Sequence, residues 1–573
     1  MAGSIRPALL LLGLAVLNAV LFFPALKGGF FWDDKILISE NPYLAGPDFW
    51  RTFLAAPFTG PSGWDRNSAA LDRRVPFYRP LTALSYRMDL EVWGFNPAAF
   101  HLTNLLLQIL DTVLFVFVLL RLGFGTGPAY WGGLLFTVFP PHFESVAWIS
   151  GRTDLLAFAA GAAALLCLLR FREGRRGLWG TLAAISFFLS LLAKESFVLL
   201  PGLAFLILFL PSRRWKPAFL GTAVFVPPLV LWAWMRSAAV SPPVPVLAFR
   251  TAARAAEALG YYVWRLLCPF RLGLTVDSGH VFGNPLWLVL GSAAAAAIVL
   301  SWVVVLRARR SSPAAAAGAA FGLLIAPALA AALSPAAESL LAWRFLYPAS
   351  GLFVPAVVGL AFRGLRRWAA AAALAVLAVL YLIEISPKVR AYGHEEQDIW
   401  LAVEDPESED SLARLNIGLA WLGKDEERGL AILRTLRGDG LRPDAARMRT
   451  KAAEELAAHY TRTKETAKAA PYYQEVFRSG NPPSTFLYLN YAVFLALEGR
   501  AAEGGEIVAR ILSLFPENHL VLLNAARFYA VVGDYGKAAE CLRRDYALFP
   551  SPQTLEEIRA LEILIRFFRV FHG

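Results

Sequence analysis

Ten side chains within the first 344 residues are of the types that move protons or hold anions. Asp33 and Asp34 adjoin one another after Gly29-Phe30-Phe31-Trp32. His142, Glu144, Arg152 and Asp154 share one short stretch, and Lys194-Glu195 forms another. Arg79 precedes Pro80-Leu81, and Arg344 opens Arg344-Phe345-Leu346-Tyr347. A positioned carboxylate takes a proton from a hydroxyl. Arginine and lysine hold phosphate, arginine as a planar fork and lysine as a point charge. The set therefore suits an anionic substrate and a hydroxyl acceptor. Singly, each member also has an ordinary use. The two aspartates suit a solvated loop beside an aromatic belt. Arg152 with Asp154, and Lys194 with Glu195, suit neutral pairs, and Arg344 suits snorkelling to headgroups.

The elements that carry them read as membrane helices. The chain has 573 residues, 57% of them hydrophobic and 17% charged, with a mean hydropathy of +0.49. Apolar runs near twenty residues long match the thickness of a bilayer. About eleven spans are expected, near 7–26, 98–120, 128–141, 153–170, 177–193, 196–211, 217–235, 285–306, 314–333, 345–362 and 368–386. Arg6 and a first apolar run without a small-residue cleavage pattern read as an uncleaved first span. The stretch around Tyr261-Tyr262-Val263-Trp264, within the loop 236–284, reads as too short and interrupted to span, and as re-entrant or interfacial.

The net charge of +11 is not the footprint of a nucleic-acid binder, because it is concentrated in short connectors. Arg170 to Arg176, Arg213 to Lys216, Arg307 to Arg310 and Arg363 to Arg367 hold 13 basic residues against Glu173 alone. That is the positive-inside signature, and anionic lipid is its neighbour. With Arg6 inside, all four connectors fall inside. Asp33, Asp34, Arg79, the 142–154 turn, Lys194-Glu195 and Arg344 then share the outside face. The first outside loop, 27–97, carries two expected amphipathic helices, Asp48 to Phe58 and Pro80 to Trp93, of the kind that lie in the interface. In the second, Leu81, Leu84, Met88 and Val92 share a face. Cys167, Cys268 and Cys541 have no zinc-site or disulfide spacing. Asp33-Asp34 could bind a divalent metal, but no further ligand set supports one.

Hydropathy falls after Tyr392, dividing the chain into a membrane domain, 1–392, and a helical domain, 393–573. The second shows a 34-residue period. Pro482, Pro516 and Pro550 keep it, as do Ala470, Gly504 and Ala538, Asn490 and Asn524, and Gly499 and Gly533. Phe515-Pro516 and Phe549-Pro550 recur as dipeptides, and a degenerate earlier unit covers Leu412 to Leu436. This is the tetratricopeptide period, which builds a solenoid with a concave face. Peptide binding and mere packing or dimerisation both remain open for it.

The membrane region resembles the GT-C glycosyltransferases that use polyprenyl-phosphate sugars. It is most similar to the tetratricopeptide-containing transmembrane O-mannosyltransferases and their bacterial relatives. The resemblance rests on Phe31-Trp32-Asp33-Asp34, Tyr78-Arg79-Pro80-Leu81 and His101-Leu102-Thr103-Asn104. It also rests on His142-Phe143-Glu144 through Gly151-Arg152-Thr153-Asp154, on Lys194-Glu195-Ser196, and on Arg344-Phe345-Leu346-Tyr347. It implies an all-α fold and a lipid-phosphate-sugar donor as substrate, with no cofactor firmly implied. It also implies an acceptor hydroxyl, usually on protein, and an acid in the first outside loop as base, with inversion. By that resemblance Asp33 is the base and Asp34 its partner. Arg152, Lys194 and Arg344 are the candidates for the donor phosphate. Arg79, His142, Glu144, Asp154 and Glu195 line the pocket. Phe139, Gln108 and Trp343 depart from the family pattern, which leaves the sugar and the acceptor open.

The distribution of basic connectors places the N-terminus in the cytoplasm and, after an eleventh span, the repeats outside, in the periplasm if the source is bacterial. Partners are then membrane lipid, the donor, and an acceptor protein engaged by the repeats. Two other classes compete. A lipid-linked-sugar transporter would favour polar groups at mid-membrane on a two-sided path; the spans are apolar there, with Asp111 the main exception. A non-catalytic scaffold would use the membrane part only to anchor the repeats.

Overall fold

The computed structural model describes residues 2–39, 41–58, 77–174, 176–240, 249–276, 278–307, 313–333, 341–403, 411–436, 443–479, 484–516, 518–548 and 552–572. Among them the chain is entirely helices and turns, with no strand. Two compact units divide it. The first holds Met1–Ser39, Asp48–Pro61 and Val75–Ala413; the second holds Arg414–Gly573 with Glu40–Pro47 from the first loop. The division lies beyond the fall in hydropathy at Tyr392.

In the first unit, nine helices among the described residues are long and apolar enough to cross a membrane. The protein is a multi-pass integral membrane protein. All eleven expected spans coincide with helices. The two outside the nine are Thr126–Val138, of 13 residues, and Arg176–Ala193, of 18. At 1.5 Å per residue the first rises only about 20 Å, short of a bilayer core of about 30 Å. It does not need that length, because Leu135, Phe136 and Val138 are buried among other helices. Elsewhere the outward faces are apolar, as lipid requires: Leu9, Leu12, Val16 and Val20 on the first helix are all exposed.

Three loop elements differ from expectation or refine it. The stretch at Tyr261 is not interrupted. It lies in one continuous helix of 19 residues, Phe249–Leu267. Its polar residues hide it from a hydropathy window, and Gly260 is tolerated because another backbone needs the room. A Cβ there would sit 2.2 Å from the Trp287 carbonyl oxygen, and one on Gly291 would sit 1.6 Å from that of Ala256. The expected helix Asp48 to Phe58 is a single turn, Phe49–Thr52. Pro57 disfavours helix just before it, and Tyr78 Oη donates to the Leu54 carbonyl at 2.6 Å instead. Pro80–Trp93 is helical, with its faces reversed from those of a soluble helix. Thr82, Ala83, Tyr86 and Asp89 are buried, while Met88, Val92 and Trp93 point out.

The second unit is built of antiparallel helix pairs. Thr485–Leu497 pairs with Ala501–Leu514, and His519–Val531 with Tyr535–Leu548. The corresponding helices start 34 residues apart, and local chemistry repeats with them. Ser484 and Asn518 each cap a helix by accepting from a backbone N–H three residues on, at 3.0 and 3.1 Å. Gly499 and Gly533 take the left-handed conformation between paired helices, with φ of +79° and +84°. Asn490 and Asn524 are buried and donate to the carbonyls of Phe486 and Leu520. Pro482, Phe549 and Pro550 lie outside the described residues.

Candidate functional site

Asp33 and Asp34 stand at the end of a strained turn. Trp32, just before them, has φ of +49°. A bulky side chain in that region costs about 1–3 kcal/mol and persists only where its surroundings hold it. The surroundings are aromatic. Trp32 stacks on Trp148, with centroids 5.9 Å apart and planes at 17°, and meets Trp400 edge-on at 5.5 Å. Phe31 packs against Trp148, Tyr392 and Trp400, and Trp148 Nε1 donates to the Phe31 carbonyl at 3.1 Å.

The two acids have different environments. Asp34 is fully buried. Its Oδ1 accepts from the Ser150 backbone at 2.8 Å and from the Ser150 hydroxyl, and its Oδ2 accepts from the Phe31 N–H at 3.0 Å. Burial pushes its carboxyl up to about 7, against the pull of those donors. Asp34 is thus a brace between the first loop and the 142–154 turn. Asp33 is half-buried and lies within electrostatic reach of Arg344.

Around Asp33 the charges interlock across the sequence. Arg344 pairs through its guanidinium with one Glu144 oxygen, and its backbone N–H donates to the other at 2.9 Å. Its guanidinium also lies 5.0 Å from the Trp148 ring centroid. Lys194 meets both oxygens of Asp154, at 2.6 and 2.7 Å. Arg79 reaches Glu195 at 3.1 Å and lies over Phe77 at 4.4 Å. Lys194 is in turn within electrostatic reach of both Arg79 and Arg344. Asp33, Arg79, Glu144, Asp154, Lys194, Glu195 and Arg344 are therefore one cluster. Most of it is screened from solvent, where charge interactions outweigh those at a surface. The Nε of Arg79 is buried without a hydrogen-bond partner, a spare donor in a site where buried donors are normally paired.

Two candidates stand apart. Arg152 is completely buried and its fork is filled. It donates to Asn104 Oδ1 at 2.8 Å and to the Phe100 carbonyl at 2.7 Å, and it pairs with Asp89 at 2.7 Å. The arginine expected among the phosphate ligands serves here as the latch joining the helices Pro80–Trp93, Pro97–Arg121 and Arg152–Glu173. His142 lies against Phe136, Phe139 and Tyr347 and shares a 2.9 Å hydrogen bond with Ser350. Burial pushes its imidazole down to about 3, so it is neutral at physiological pH.

Sequence reasoning assigned no role to Asp89, Asn104, Trp148, Ser150 or Trp400, all of which hold the cluster. Asn104 donates to the Trp148 and Ile149 carbonyls at 3.0 and 3.2 Å, fixing the turn that carries Glu144 and Arg152. Asp89 is buried between the exposed Met88 and Val92 on the same helix, which its place in the sequence does not show. Nothing in the sequence pointed to Trp400, far along the chain. Gly151 permits the turn, since a Cβ there would lie 2.4 Å from the Ser145 carbonyl. Among the described residues no group of three or more His, Cys, Asp or Glu side chains could hold a metal ion.

The chain is similar to animal protein O-mannosyl-transferases. It is 35% identical to TMTC1 of Mus musculus over 168 residues, 29% of this chain and 16% of the relative. It is 33% identical to TMTC2 of Homo sapiens over 169 residues, 27% of this chain and 18% of that relative. Caenorhabditis elegans F38B6.6, named as a protein O-mannosyl-transferase, is 26% identical over 225 residues, 38% of this chain and 30% of the relative. The chain thus spans less than a fifth of the length of the first two relatives. No family model matches it. Among solved structures, ArnT of Cupriavidus metallidurans bound to undecaprenyl phosphate aligns over 88% of this chain and 80% of its own, at 16% identity and a TM-score of 0.38.

Proposed function

We propose that the protein is a membrane glycosyltransferase of the GT-C type. It transfers a mannose-like sugar from a polyprenyl-phosphate donor to a hydroxyl, on protein, at the extracytoplasmic face. The observation that carries this reading is the single cluster in which Asp33 lies within electrostatic reach of Arg344, and Lys194 within reach of Arg344 and Arg79. The similarity to protein O-mannosyl-transferases over part of the chain supports it.

The carboxylate of Asp33 accepts the proton of the acceptor hydroxyl. The oxygen attacks the anomeric carbon from the side opposite the phosphate, so the configuration inverts. The bond from that carbon to the phosphate oxygen breaks, and polyprenyl phosphate leaves with the electron pair. In this reading Asp33 is preferred to Asp34 as base, and the enclosure of Asp34, with both oxygens hydrogen-bonded, supports that choice. For the phosphate, Arg344 and Arg79 are better placed than Arg152. Arg344 keeps 20% of its side chain exposed, and Arg79 has its unused Nε. Lys194 assists by charge and holds Asp154. Glu144 and Glu195 keep the two arginines oriented.

In this reading the N-terminus and the four basic connectors are cytoplasmic. Residues 1–392 form the transferase domain, and 393–573 form tetratricopeptide repeats that recruit the acceptor. The transporter alternative loses support from Asp111, which is completely enclosed and accepts from Tyr347 at 2.8 Å.

Purified protein given radiolabelled polyprenyl-phosphate mannose and a peptide mixture tests the proposal. Wild type is expected to transfer label. Asp33→Asn is expected to lose roughly a hundredfold or more while still binding donor. Unchanged transfer by Asp33→Asn removes the assigned base.

A further inference from the structure

We propose that the indole of Trp32 is the platform on which the donor's pyranose stacks, which makes Trp32 the residue that reads the sugar. The inference rests on the transferase reading and deepens it. Three observations lead to it. Trp32 occupies the left-handed backbone region, at φ of +49°, immediately before Asp33. Gly28 and Gly29 stand close by, yet the bulky residue occupies the strained position, so the ring is wanted there and not merely the turn. The ring is also only half-buried, although its neighbours Phe31, Trp148 and Trp400 are each at most 3% exposed.

Among the described residues, the indole's ring contacts are one offset, near-parallel stack, on Trp148, and steeply inclined contacts to Trp400 and Phe31. A stacked pair uses one face of each ring. The π face of an indole is electron-rich and attracts polarised C–H groups. The axial C–H groups on one side of a pyranose are such a surface. The same stack is tied to the cation that would hold the phosphate, since the guanidinium of Arg344 lies 5.0 Å from the Trp148 ring centroid. Through Trp148, then, the ring of Trp32 and the guanidinium of Arg344 share one neighbour, and Asp33 follows Trp32 directly in the chain. Trp148, Trp400, Tyr392 and Phe31 act as positioning residues: they pin Trp32 in its strained conformation.

The test compares binding of polyprenyl-phosphate mannose and of bare polyprenyl phosphate to wild type, Trp32→Gly and Trp32→Phe in detergent. Glycine keeps the left-handed turn and removes the ring; phenylalanine keeps a ring. Wild type is expected to prefer the sugar-bearing lipid by about three- to tenfold. Trp32→Gly is expected to lose that preference while binding bare polyprenyl phosphate as before, and Trp32→Phe to retain part of it. An intact preference in Trp32→Gly overturns the platform and leaves the transferase reading standing. Equal loss of both lipids by Trp32→Gly and Trp32→Phe also overturns it, because the ring would then serve the fold alone. Failure of wild type to bind either lipid overturns the transferase reading and the platform with it.

Discussion

The charges around Asp33 and those of the C-terminal repeats are arranged on opposite principles. In the repeats several ion pairs are local and wet. Lys468 pairs with Glu465, Arg500 with Glu503 and Lys537 with Asp534, each three residues apart, with side chains 37–62% exposed. Around Asp33 and beside it the partners are distant in sequence and, apart from Glu195 at 39%, largely enclosed. Lys194 and Asp154 are 4% and 0% exposed, and Arg152 and Asp89 are 0% and 11% exposed. Exposed pairs contribute little, because water and salt screen them and two long side chains must be held in place. Enclosed pairs seldom add net stability either, yet removing one partner strands a charge, which is costly. The repeats can therefore lose any one pair, whereas the cluster stands as a unit. That is the arrangement expected where charges must stay preorganised.

The largest effect should come from breaking an enclosed pair. Lys194→Met is expected to cost about 3–5 kcal/mol by leaving Asp154 bare. Thermal unfolding in detergent measures it. The double variant Lys194→Met/Asp154→Leu should recover most of the stability but not the transfer. If the single variant unfolds like wild type, the contrast between the two regions fails.

Next is a pH effect. Asp34 holds its proton up to about pH 7 in the folded state, against an ordinary value of 3.8. The folded protein then binds the extra proton between those limits. Its contribution to stability is complete below about pH 4 and is lost as pH rises through about 7. The shift corresponds to roughly 4 kcal/mol at most. Wild type should therefore melt higher at pH 5 than at pH 8, and Asp34→Asn should flatten that slope. An unchanged slope would place the titration elsewhere.

Asn104→Ala should cost about 1–3 kcal/mol, by leaving the buried Arg152 Nε without its acceptor. In the repeats the caps should matter more than the ion pairs. Ser484→Ala and Asn518→Ala are each expected to cost about 1 kcal/mol. Lys537→Ala should leave the unfolding midpoint where it was.

Much of the architecture was legible because lipid imposes one-dimensional rules. A span must be apolar for its length, so all eleven expected segments coincide with helices, nine of them long and apolar enough to cross a membrane among the described residues. Repeats impose another: a turn glycine at fixed spacing appears as Gly499 with Gly533, and a buried helix asparagine as Asn490 with Asn524. The helix Phe249–Leu267 escaped, because Arg254, Glu257 and Arg265 lower its hydropathy and Gly260 looks like a break until Gly291 is set against it. The short helix at Phe49–Thr52 was overcalled, because apolar spacing past it suggested continuation while Pro57 and Tyr78 ended it.

The candidate site divides in the same way. The sequence by itself determined which residue types crowd the ends of the helices, and through the basic connectors it suggested that they share one face. It could not decide which arginine is free. Arg79, Arg152 and Arg344 look alike in a string of letters. Only the packing shows Arg152 spent on Asp89, Asn104 and Phe100 while Arg79 keeps an unused donor. It could not separate Asp33 from Asp34, whose neighbours in sequence are almost the same. Nor could it bring Trp400 to Trp32. The physical reason is that hydropathy, period and turn chemistry are local quantities, summed along the chain. Burial, pairing and the freedom of a donor depend on residues brought together from far apart, and they exist only once the helices have packed.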